Sequence, residues 1–448
     1  MVSLERLLGS STLSSFQRPG FVWLWLSLTT NGFTNAIAAV TFGWLALEIT
    51  GSPVAVGTIF AVRNVPRLLF AVPIGALSDH MDRRRMLQGV NLFGAALALS
   101  GTGLAFTGNL TFVGLLVVAF LEGSFDAAET TLGRAFIYDL VGRDEAINGM
   151  ALEQLANRAV GAAGAVGAGV LLAFYGAAAP FLSMMIGFVI AASALSMIPR
   201  SLRVASADIA KTEFSIESAE RTGAEVPTVV SSRETKNRLD LKNSAVFLGG
   251  FTVLWRNPAV LLLAVIGAAA EAFAFSSDAL LPSFSRDILM VGETGLGNMV
   301  AIRQVGGVAA LLILASLSTR VRPGELIFWM CGLFSLSLIA FAGSVSYSLS
   351  LFLMLWIGVA WAAVDLLLPK LVQDRVPDSE RGAAVGIWNL SRGAGPLGSL
   401  EVGVIAGSLG APIAQIMNAC AFLVVVAVAA LLQRDSHWRI FGGEKPAG

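Results

Sequence analysis

The chain has 448 residues, of which 55% are hydrophobic and 13% are charged, and its formal net charge at pH 7 is +0. Soluble globular domains carry about 25% charged residues, so this composition excludes an ordinary soluble domain and indicates a membrane protein. The chain has no basic tract, which argues against nucleic acid as a partner. With two cysteines and two histidines, we expect no disulfide framework, no metal site and no cofactor.

Twelve apolar stretches follow one another along the chain, and each approaches the length of about 20 residues that a helix needs to span a bilayer. The first six cover residues 21–47, 54–77, 86–107, 110–132, 148–175 and 178–198. The second six cover residues 259–281, 294–317, 326–343, 348–369, 382–407 and 411–432. We therefore predict an all-α membrane protein with twelve transmembrane helices.

Two short patterns occur once in each half of the chain at nearly the same spacing. Residues 139–145 (DLVGRDE) match residues 374–380 (DRVPDSE), and residues 158–161 (RAVG) match residues 392–395 (RGAG). This repeat predicts two pseudo-symmetric six-helix halves. We expect an N-terminal bundle over 1–198, a cytoplasmic linker over 199–257, and a C-terminal bundle over 258–448 that ends in a short cytoplasmic tail.

Basic residues between the spans fall in alternate loops. The opposite loops contain only Arg286, whereas one set contains Arg83, Arg84, Arg85, Arg143, Arg200, Arg203, Arg320, Arg322, Lys370, Arg375, Arg381 and Arg434. Cytoplasmic loops are enriched in Lys and Arg. We therefore predict a multi-pass protein of the inner (plasma) membrane with both termini in the cytoplasm, and we expect a monomer.

The segment between the second and third spans, residues 75–84 (GALSDHMDRR), is a short charged turn. It resembles the signature loop between helices 2 and 3 of the major facilitator superfamily. Residues 47–53 (LEITGSP), 63–66 (RNVP) and 250–258 (GFTVLWRNP) are similar to the branch that contains enterobactin exporters and macrolide-type efflux proteins. The resemblance covers nearly the whole chain. It implies export of an amphipathic small molecule by alternating access, usually in exchange for protons, and it implies a gating role for Gly75, Asp79, Arg83, Arg84 and Arg134, with Asp79 contacting Arg134 or the start of the eleventh helix.

Charged residues inside the spans are expected to face the bundle interior and to be functional, because a charge in lipid is costly. The third, sixth, ninth and twelfth spans carry none in their interiors, whereas the others carry Arg63, Arg67, Glu122, Asp126, Glu129, Glu153, Arg158, Glu271, Asp278, Arg303, Asp365, Arg392 and Glu401. The resemblance implies that the four uncharged helices are the outer, lipid-facing ones. The charge pattern agrees with that division.

Arg63 and Arg67 lie near the middle of the second span, and Glu122 and Asp126 lie one helical turn apart near the middle of the fourth. We expect these four to form a buried network with Arg158, either as static ion pairs or as a proton-coupling site. A carboxylate that loses its arginine partner in a dry site binds a proton. Glu122 and Asp126 are therefore the first candidates for proton coupling, followed by Glu271 and Asp365. We assign Glu129 and Glu153 to structural roles.

Candidate substrate-binding residues combine amides, arginines and aromatic rings that lie in the spans: Asn31, Asn35, Arg63, Arg67, Arg158, Phe273, Arg303, Trp361, Trp388 and Arg392. Hydrogen bonding between helices is the alternative role for the two asparagines, and packing in the core or against lipid is the alternative for the aromatic rings.

Three classes of function remain open on the sequence. A secondary exporter of a drug, siderophore or secondary metabolite is the leading interpretation, with multidrug resistance or siderophore export as its biological outcome. A lysophospholipid flippase, a nutrient importer or a uniporter is the second. A sensor or enzyme is the third, but the sequence contains no Walker motif and no Ser/His/Asp arrangement. We therefore expect a transporter that is not an enzyme.

Overall fold

A computed structural model describes residues 14–78, 81–142, 145–198, 257–317, 322–377 and 381–433. After a short 3₁₀ turn at Ser14–Gln17, the first half contains α1 (Phe21–Thr50), α2 (Pro53–Ser78), α3 (Arg83–Phe106), α4 (Phe112–Val141), α5 (Ala146–Tyr175) and α6 (Ala178–Ser196). The second half contains α7 (Pro258–Ile288), α8 (Gly292–Leu317), α9 (Pro323–Ala342), α10 (Tyr347–Asp374), α11 (Arg381–Arg392 and Ala394–Leu409) and α12 (Ala411–Leu432). The described residues form no strand, so the predicted all-α fold with twelve helices is confirmed. The predicted linker falls almost entirely on residues 199–256, outside the described ranges.

Nine of the described helices are long and apolar enough to cross a membrane. Of the other three, α2 and α4 carry charged residues inside the span, such as Arg63 and Glu122, and α11 is divided at Gly393 into segments of 12 and 16 residues. Several helices continue past the predicted apolar stretch. With 30 residues, α4 is about 45 Å long at 1.5 Å per residue. It is therefore longer than a hydrocarbon core of about 30 Å, and its last turns, which include Arg134 and Asp139, extend beyond the apolar core.

Local sequence sets several helix ends. The chain turns between α1 and α2 at Gly51, whose φ of 66° suits a residue without Cβ, and its N–H donates to the carbonyl oxygen of Leu47. At the start of α3 the Asp82 carboxylate accepts from the backbone N–H groups of Arg84 and Arg85, as expected of an N-cap residue. Asn257 caps the start of α7 in the same way.

Two helices of the second half are irregular. After Ala269, α7 continues through a π-helical turn at Ala270–Ala274 and a 3₁₀ segment at Phe275–Leu280. Such departures inside a helix often mark functional sites, and here they carry Glu271 and Asp278. In α11 the helix is interrupted at Gly393, just before Gly395 and Pro396.

The helices pack into two halves with similar internal arrangements. In the first half, α2 packs against α4 and α3 packs against α6; in the second half, the equivalent helices α8 and α9 pack against α10 and α12. The halves meet along α2 with α11 and along α5 with α8. The exact domain limits stay a prediction.

Close approaches between the halves concentrate at one end of the bundle, which we name the Gly51 end after the α1–α2 turn. A Cβ added to Gly57 would overlap with the Ser399 carbonyl oxygen, and one added to Gly169 would lie 2.6 Å from the Glu293 carbonyl oxygen. Arg286 Nη1 also donates to the Leu47 carbonyl oxygen at 2.9 Å. Toward the opposite end, which we name the terminal end, Leu69 of α2 is half-exposed. This pattern indicates that the two halves contact each other most closely at the Gly51 end.

Candidate functional site

Among the ion pairs of the described residues, Arg63 and Glu122 form the most enclosed one. Arg63 Nε lies 2.5 Å from Glu122 Oε2, and Nη2 lies 3.0 Å from Oε1, so the contact is bidentate. The side chains are 12% and 3% exposed. The helices approach closely here because Gly123 lies against the Arg63 carbonyl oxygen, with no room for a Cβ.

One turn further along both helices, Arg67 pairs with Asp126. Arg67 Nη2 and Nε lie 2.5 Å and 2.7 Å from Asp126 Oδ2. The other oxygen of Asp126 accepts from Asn35 Nδ2 of α1 at 2.6 Å. Asp126 therefore connects three helices, while the Arg67 side chain is 41% exposed.

Two further carboxylates on the first half are held by amides instead of arginines. Asn31 Nδ2 of α1 donates to Glu129 Oε1 of α4 at 3.2 Å. On α5, Asn157 Nδ2 donates to Glu153 Oε1. Neither carboxylate has an ion-pair partner among the described residues. The amides of Asn31 and Asn35 thus hydrogen-bond to α4, as the helix–helix alternative expects, and their role in substrate binding stays a prediction.

The second half contains a different set of pairs. Arg303 Nη1 of α8 binds Asp278 Oδ1 of α7, and its guanidinium lies over the Trp361 ring, 4.5 Å from the ring centroid. Arg392 Nε of α11 lies 3.4 Å from Glu271 Oε1. Glu271 and Arg303 therefore have separate partners, because α7 places Asp278 beside Arg303.

Arg158 joins the two halves. Its Nη2 lies 3.7 Å from Asp365 Oδ2 of α10, and its guanidinium lies in the space left by Gly307 of α8, where a Cβ would be 2.8 Å from Nη1. The sequence-based expectation placed Arg158 in the network with Glu122 and Asp126. That expectation was wrong, because α5 packs along α8 and directs Arg158 toward the second half.

The three aromatic substrate-binding candidates lie in different surroundings. Trp361 stacks on Phe275 with ring centroids 4.3 Å apart. Trp388 is buried against Gly267, and Phe273 packs against the hydrophobic core. Among the described contacts of these three rings, the one with a charged group is that of Trp361 with Arg303.

Comparison with known proteins decides the family. A sequence model described as Major Facilitator Superfamily matches residues 24–400 and 261–440. The chain belongs to the Major Facilitator Superfamily. As its members are membrane transporters, the chain is a membrane transporter and not an enzyme.

Within the superfamily, the chain is similar to the staphyloferrin A transporter of Staphylococcus aureus (strain NCTC 8325 / PS 47), with 24% identity over 383 residues that cover 84% of this chain and 87% of the relative. Among solved structures it resembles a point mutant of the nucleoside transporter NupG, with a TM-score of 0.68, 14% identity and coverage of 94% and 100% of the two chains. It also resembles a bacterial homolog of the human lysosomal transporter Spinster in an inward-facing and occupied conformation, with a TM-score of 0.67, 14% identity and coverage of 95% and 98%. At these identities the structures support the superfamily fold alone.

The superfamily signature loop is described in part. Arg83 Nη1 lies 2.6 Å and 2.7 Å from the two carboxylate oxygens of Asp139, and Arg84 donates to the carbonyl oxygens of Leu195 and Ser196 at the end of α6. These contacts connect α3 to α4 and α6 within the first half.

The remaining gating candidates are only partly tested by these contacts. Gly75 lies opposite Thr131 of α4, with room for a Cβ at 3.9 Å. Arg134 is exposed. Asp79 lies outside the described residues, so its expected contact with Arg134 stays a prediction.

Sequence reasoning undervalued the amide–carboxylate pairs. Asn157 was not singled out, although it lies four residues after Glu153 and so shares its helix face. A second signal was available in Gly32, because a glycine in a span often marks a close approach. Here a Cβ on Gly32 would overlap with Asn157, so the glycine brings α1 and α5 together at this point.

Within the described residues, no group of three or more His, Cys, Asp or Glu side chains is arranged to hold a metal ion. Cys331 is buried and Cys420 is exposed, and both are free thiols. The carboxylates of the interior described above are bound either by arginines, in ion pairs, or by hydrogen bonds from asparagine amides.

Proposed function

We propose that the protein is a secondary active exporter of an amphipathic small molecule, such as a siderophore, a drug or a secondary metabolite, and that it exchanges this substrate for protons by alternating access. The observation that carries the proposal is the set of arginine–carboxylate pairs inside the spans of a superfamily member. Ionisable residues within spans tend to mark substrate and ion pathways. The arginines of these pairs are Arg63, Arg67, Arg158, Arg303 and Arg392.

Two of these arginines are suited to release their partner for a substrate. Arg158 and Arg392 hold their carboxylates at 3.7 Å and 3.4 Å, longer than the 2.5 Å of the Arg63–Glu122 contact. They also occupy matching positions in the sequence repeat. A guanidinium binds carboxylate and phosphate groups through paired hydrogen bonds. The loose pairs support a substrate with acidic groups, and similarity to a staphyloferrin A transporter supports a siderophore.

We place the protein in the inner membrane. The basic residues in alternate loops support an orientation in which both termini, and with them the terminal end of the bundle, face the cytoplasm. A green fluorescent protein fused after residue 448 checks the orientation, because it becomes fluorescent on the cytoplasmic side. This orientation would be contradicted if the fusion were not fluorescent and a reporter that works only in the periplasm were active at the same position.

Transport is tested in inside-out membrane vesicles with metal-free staphyloferrin A as the probe. We expect the vesicles to concentrate the probe when their interior is acidified and to lose this ability when an ionophore collapses the pH difference. Arg158→Gln and Arg392→Gln should each lower uptake, whereas Arg322→Gln should not, because Arg322 is 85% exposed and, among the described residues, pairs with Glu325 in the first turn of α9.

Other outcomes separate the alternatives. Probe movement that only equilibrates, with no response to the pH difference, would make the protein a uniporter. Movement of a fluorescent lysophospholipid, with none of the siderophore, would favour the flippase.

A further inference from the structure

Glu129 differs from the other acidic residues of α4 because no cation holds it. Glu122 is bound by Arg63, and Asp126 by Arg67 and Asn35. Glu129, one turn beyond Asp126, accepts a single hydrogen bond, from Asn31 Nδ2 at 3.2 Å. A carboxylate without a counter-ion in a poorly solvated site is stabilised by taking up a proton.

The side-chain amide of Asn31 has an unpaired acceptor oxygen, and a proton on Glu129 would supply the donor that it lacks. Asn31 is only 3% exposed, and its Oδ1 is buried without a hydrogen-bond partner among the described residues. A buried acceptor left unpaired is costly. The missing partner must be a donor, and an ionised Glu129 has none to offer. A protonated Glu129 supplies an O–H that can donate to Asn31 Oδ1 while Asn31 Nδ2 continues to donate to the other carboxyl oxygen.

A second pair of the same kind lies beside the first. Asn157 Nδ2 donates to Glu153 Oε1, and Asn157 Oδ1 is also buried without a partner among the described residues. The two pairs adjoin because Asn157 lies against Gly32, the residue after Asn31. Two oxygen acceptors that need donors therefore lie next to two carboxyl groups that can carry protons.

The charges around Glu129 do not provide a tight counter-ion. On its own helix it faces Asp126 and the exposed Arg134, and on α5 it faces Glu153. On α2, Arg67 is bound to Asp126. On α1 the facing groups are the neutral amides Asn31 and Asn35. Two of the nearby charges are negative, and repulsion between carboxylates also favours protonation of one of them.

We propose that Glu129, paired with Asn31 and assisted by Glu153 and Asn157, is the site that binds and releases the coupling proton. Loading forms the Glu129 O–H bond and the hydrogen bond to Asn31 Oδ1. Release breaks both, passes the proton to water, and leaves a carboxylate that keeps only the Asn31 N–H. The site differs from the one expected from sequence, Glu122 and Asp126, whose negative charges are already balanced by arginines.

The location suits this role. Glu129 lies past the midpoint of α4 in the direction of the terminal end, and its side chain is partly exposed. Protons can therefore reach the exposed part of this side chain. The inference rests on the proposed proton exchange, so the test must also report on proton binding without transport.

The first measurement is infrared difference spectroscopy of the purified, lipid-reconstituted protein between about pH 5 and about pH 9. Carboxyl groups whose proton affinity is altered by the protein change protonation state in this range. Only the protonated acid gives the carboxyl C=O stretch. We expect Glu129→Gln to remove a titrating carboxyl band and Asn31→Ala to shift that band, because the acid loses its acceptor. The matched control is Glu401→Gln, since Glu401 also accepts from an asparagine, Asn418 at 3.1 Å, but lies on α11 beside the outer helix α12. The control should keep the band that Glu129→Gln removes.

The second measurement is uptake of staphyloferrin A by inside-out vesicles. A pH difference of about one unit can concentrate a substrate about tenfold when one proton is exchanged for it. We expect Glu129→Gln to lose this accumulation and to retain downhill exchange of the probe, and Glu401→Gln to behave as wild type.

Two results overturn the proposal: an unchanged set of titrating carboxyl bands in Glu129→Gln, or full accumulation by that variant. If wild-type protein moves no staphyloferrin A, the proposed function fails for that substrate, and the infrared comparison alone decides whether Glu129 is a proton site.

Discussion

Arg63 in the first half and Arg303 in the second occupy equivalent positions. The carbonyl oxygen of each lies against a glycine of the neighbouring helix, Gly123 of α4 and Gly358 of α10, and neither glycine has room for a Cβ. The backbone crossing is therefore the same in both halves.

The side chains around the two crossings differ. Glu122 precedes Gly123 and Asp126 follows it by three residues, whereas Ile357 and Trp361 occupy the corresponding positions beside Gly358. Arg303 consequently takes its carboxylate from Asp278 of α7 and places its guanidinium over the Trp361 ring. The two halves therefore share the backbone packing and differ in side-chain chemistry. The first half holds the denser set of ionisable groups, and the second half combines a cation with an aromatic face.

Another difference concerns how the halves reach each other. Four residues after Arg63 is Arg67, and four residues after Arg303 is Gly307. The space that Gly307 leaves is filled by Arg158 of the first half. An arginine within one half is thus replaced by an arginine from the other, and Arg158 becomes a contact that must rearrange if the halves separate there.

The largest effect should come from breaking the shared packing. Gly123→Ala and Gly358→Ala each place a methyl group against a backbone carbonyl that cannot move aside, so each should destabilise the protein by more than about 3 kcal/mol. Yield of monodisperse protein and its apparent melting temperature measure this. Gly167→Ala is the control, because a Cβ there meets nothing within 4 Å. Equal behaviour of the three variants would contradict the close crossing.

The next largest effect is expected from the Arg63–Glu122 ion pair, which distinguishes the first half from the second. Arg63→Gln leaves Glu122, which is 3% exposed, as a buried charge without a partner, and loss of one member of such a pair costs about 3–5 kcal/mol. The double variant Arg63→Gln/Glu122→Gln removes both charges and should regain part of the loss. Apparent melting temperatures of the single and double variants give the coupling between them. A double variant that is less stable than Arg63→Gln would mean that the residues do not act as a pair.

The fold was largely predictable from the sequence, and the site only in part. Hydropathy indicates twelve spans because lipid requires long apolar helices, but it misses the end of α4, where polar residues such as Asp139 continue the helix outside the bilayer. Arg63 with Glu122 and Arg67 with Asp126 agree with expectation, since equal four-residue spacing on two neighbouring helices aligns both pairs. The partner of Arg158 depends on how α5 packs against α8, which spacing along one helix does not reveal.

A smaller effect is expected in the second half. Trp361→Leu removes the ring under Arg303 and should destabilise the protein by about 0.5–2 kcal/mol through the lost cation–π contact, together with the lost stacking on Phe275. Trp361→Phe keeps an aromatic face and should recover most of this difference. The melting temperature of the two variants checks the order. Leucine and phenylalanine variants of equal stability would show that the ring contributes shape only.

The smallest effect should come from Arg67. It binds the same helix as Arg63, but its side chain is 41% exposed against 12% for Arg63. Water can therefore replace much of the interaction that is lost when Arg67 is removed. Asp126 also keeps the hydrogen bond from Asn35 at 2.6 Å. Arg67→Gln should therefore lower stability by about 1 kcal/mol or less, and raising the salt concentration should reduce the difference from wild type further. Melting temperatures of Arg67→Gln and Arg63→Gln, compared at low and high salt, test this ranking. If Arg67→Gln were as damaging as Arg63→Gln, exposure would not be what separates the two pairs, and Asp126 would be as dependent on its arginine as Glu122.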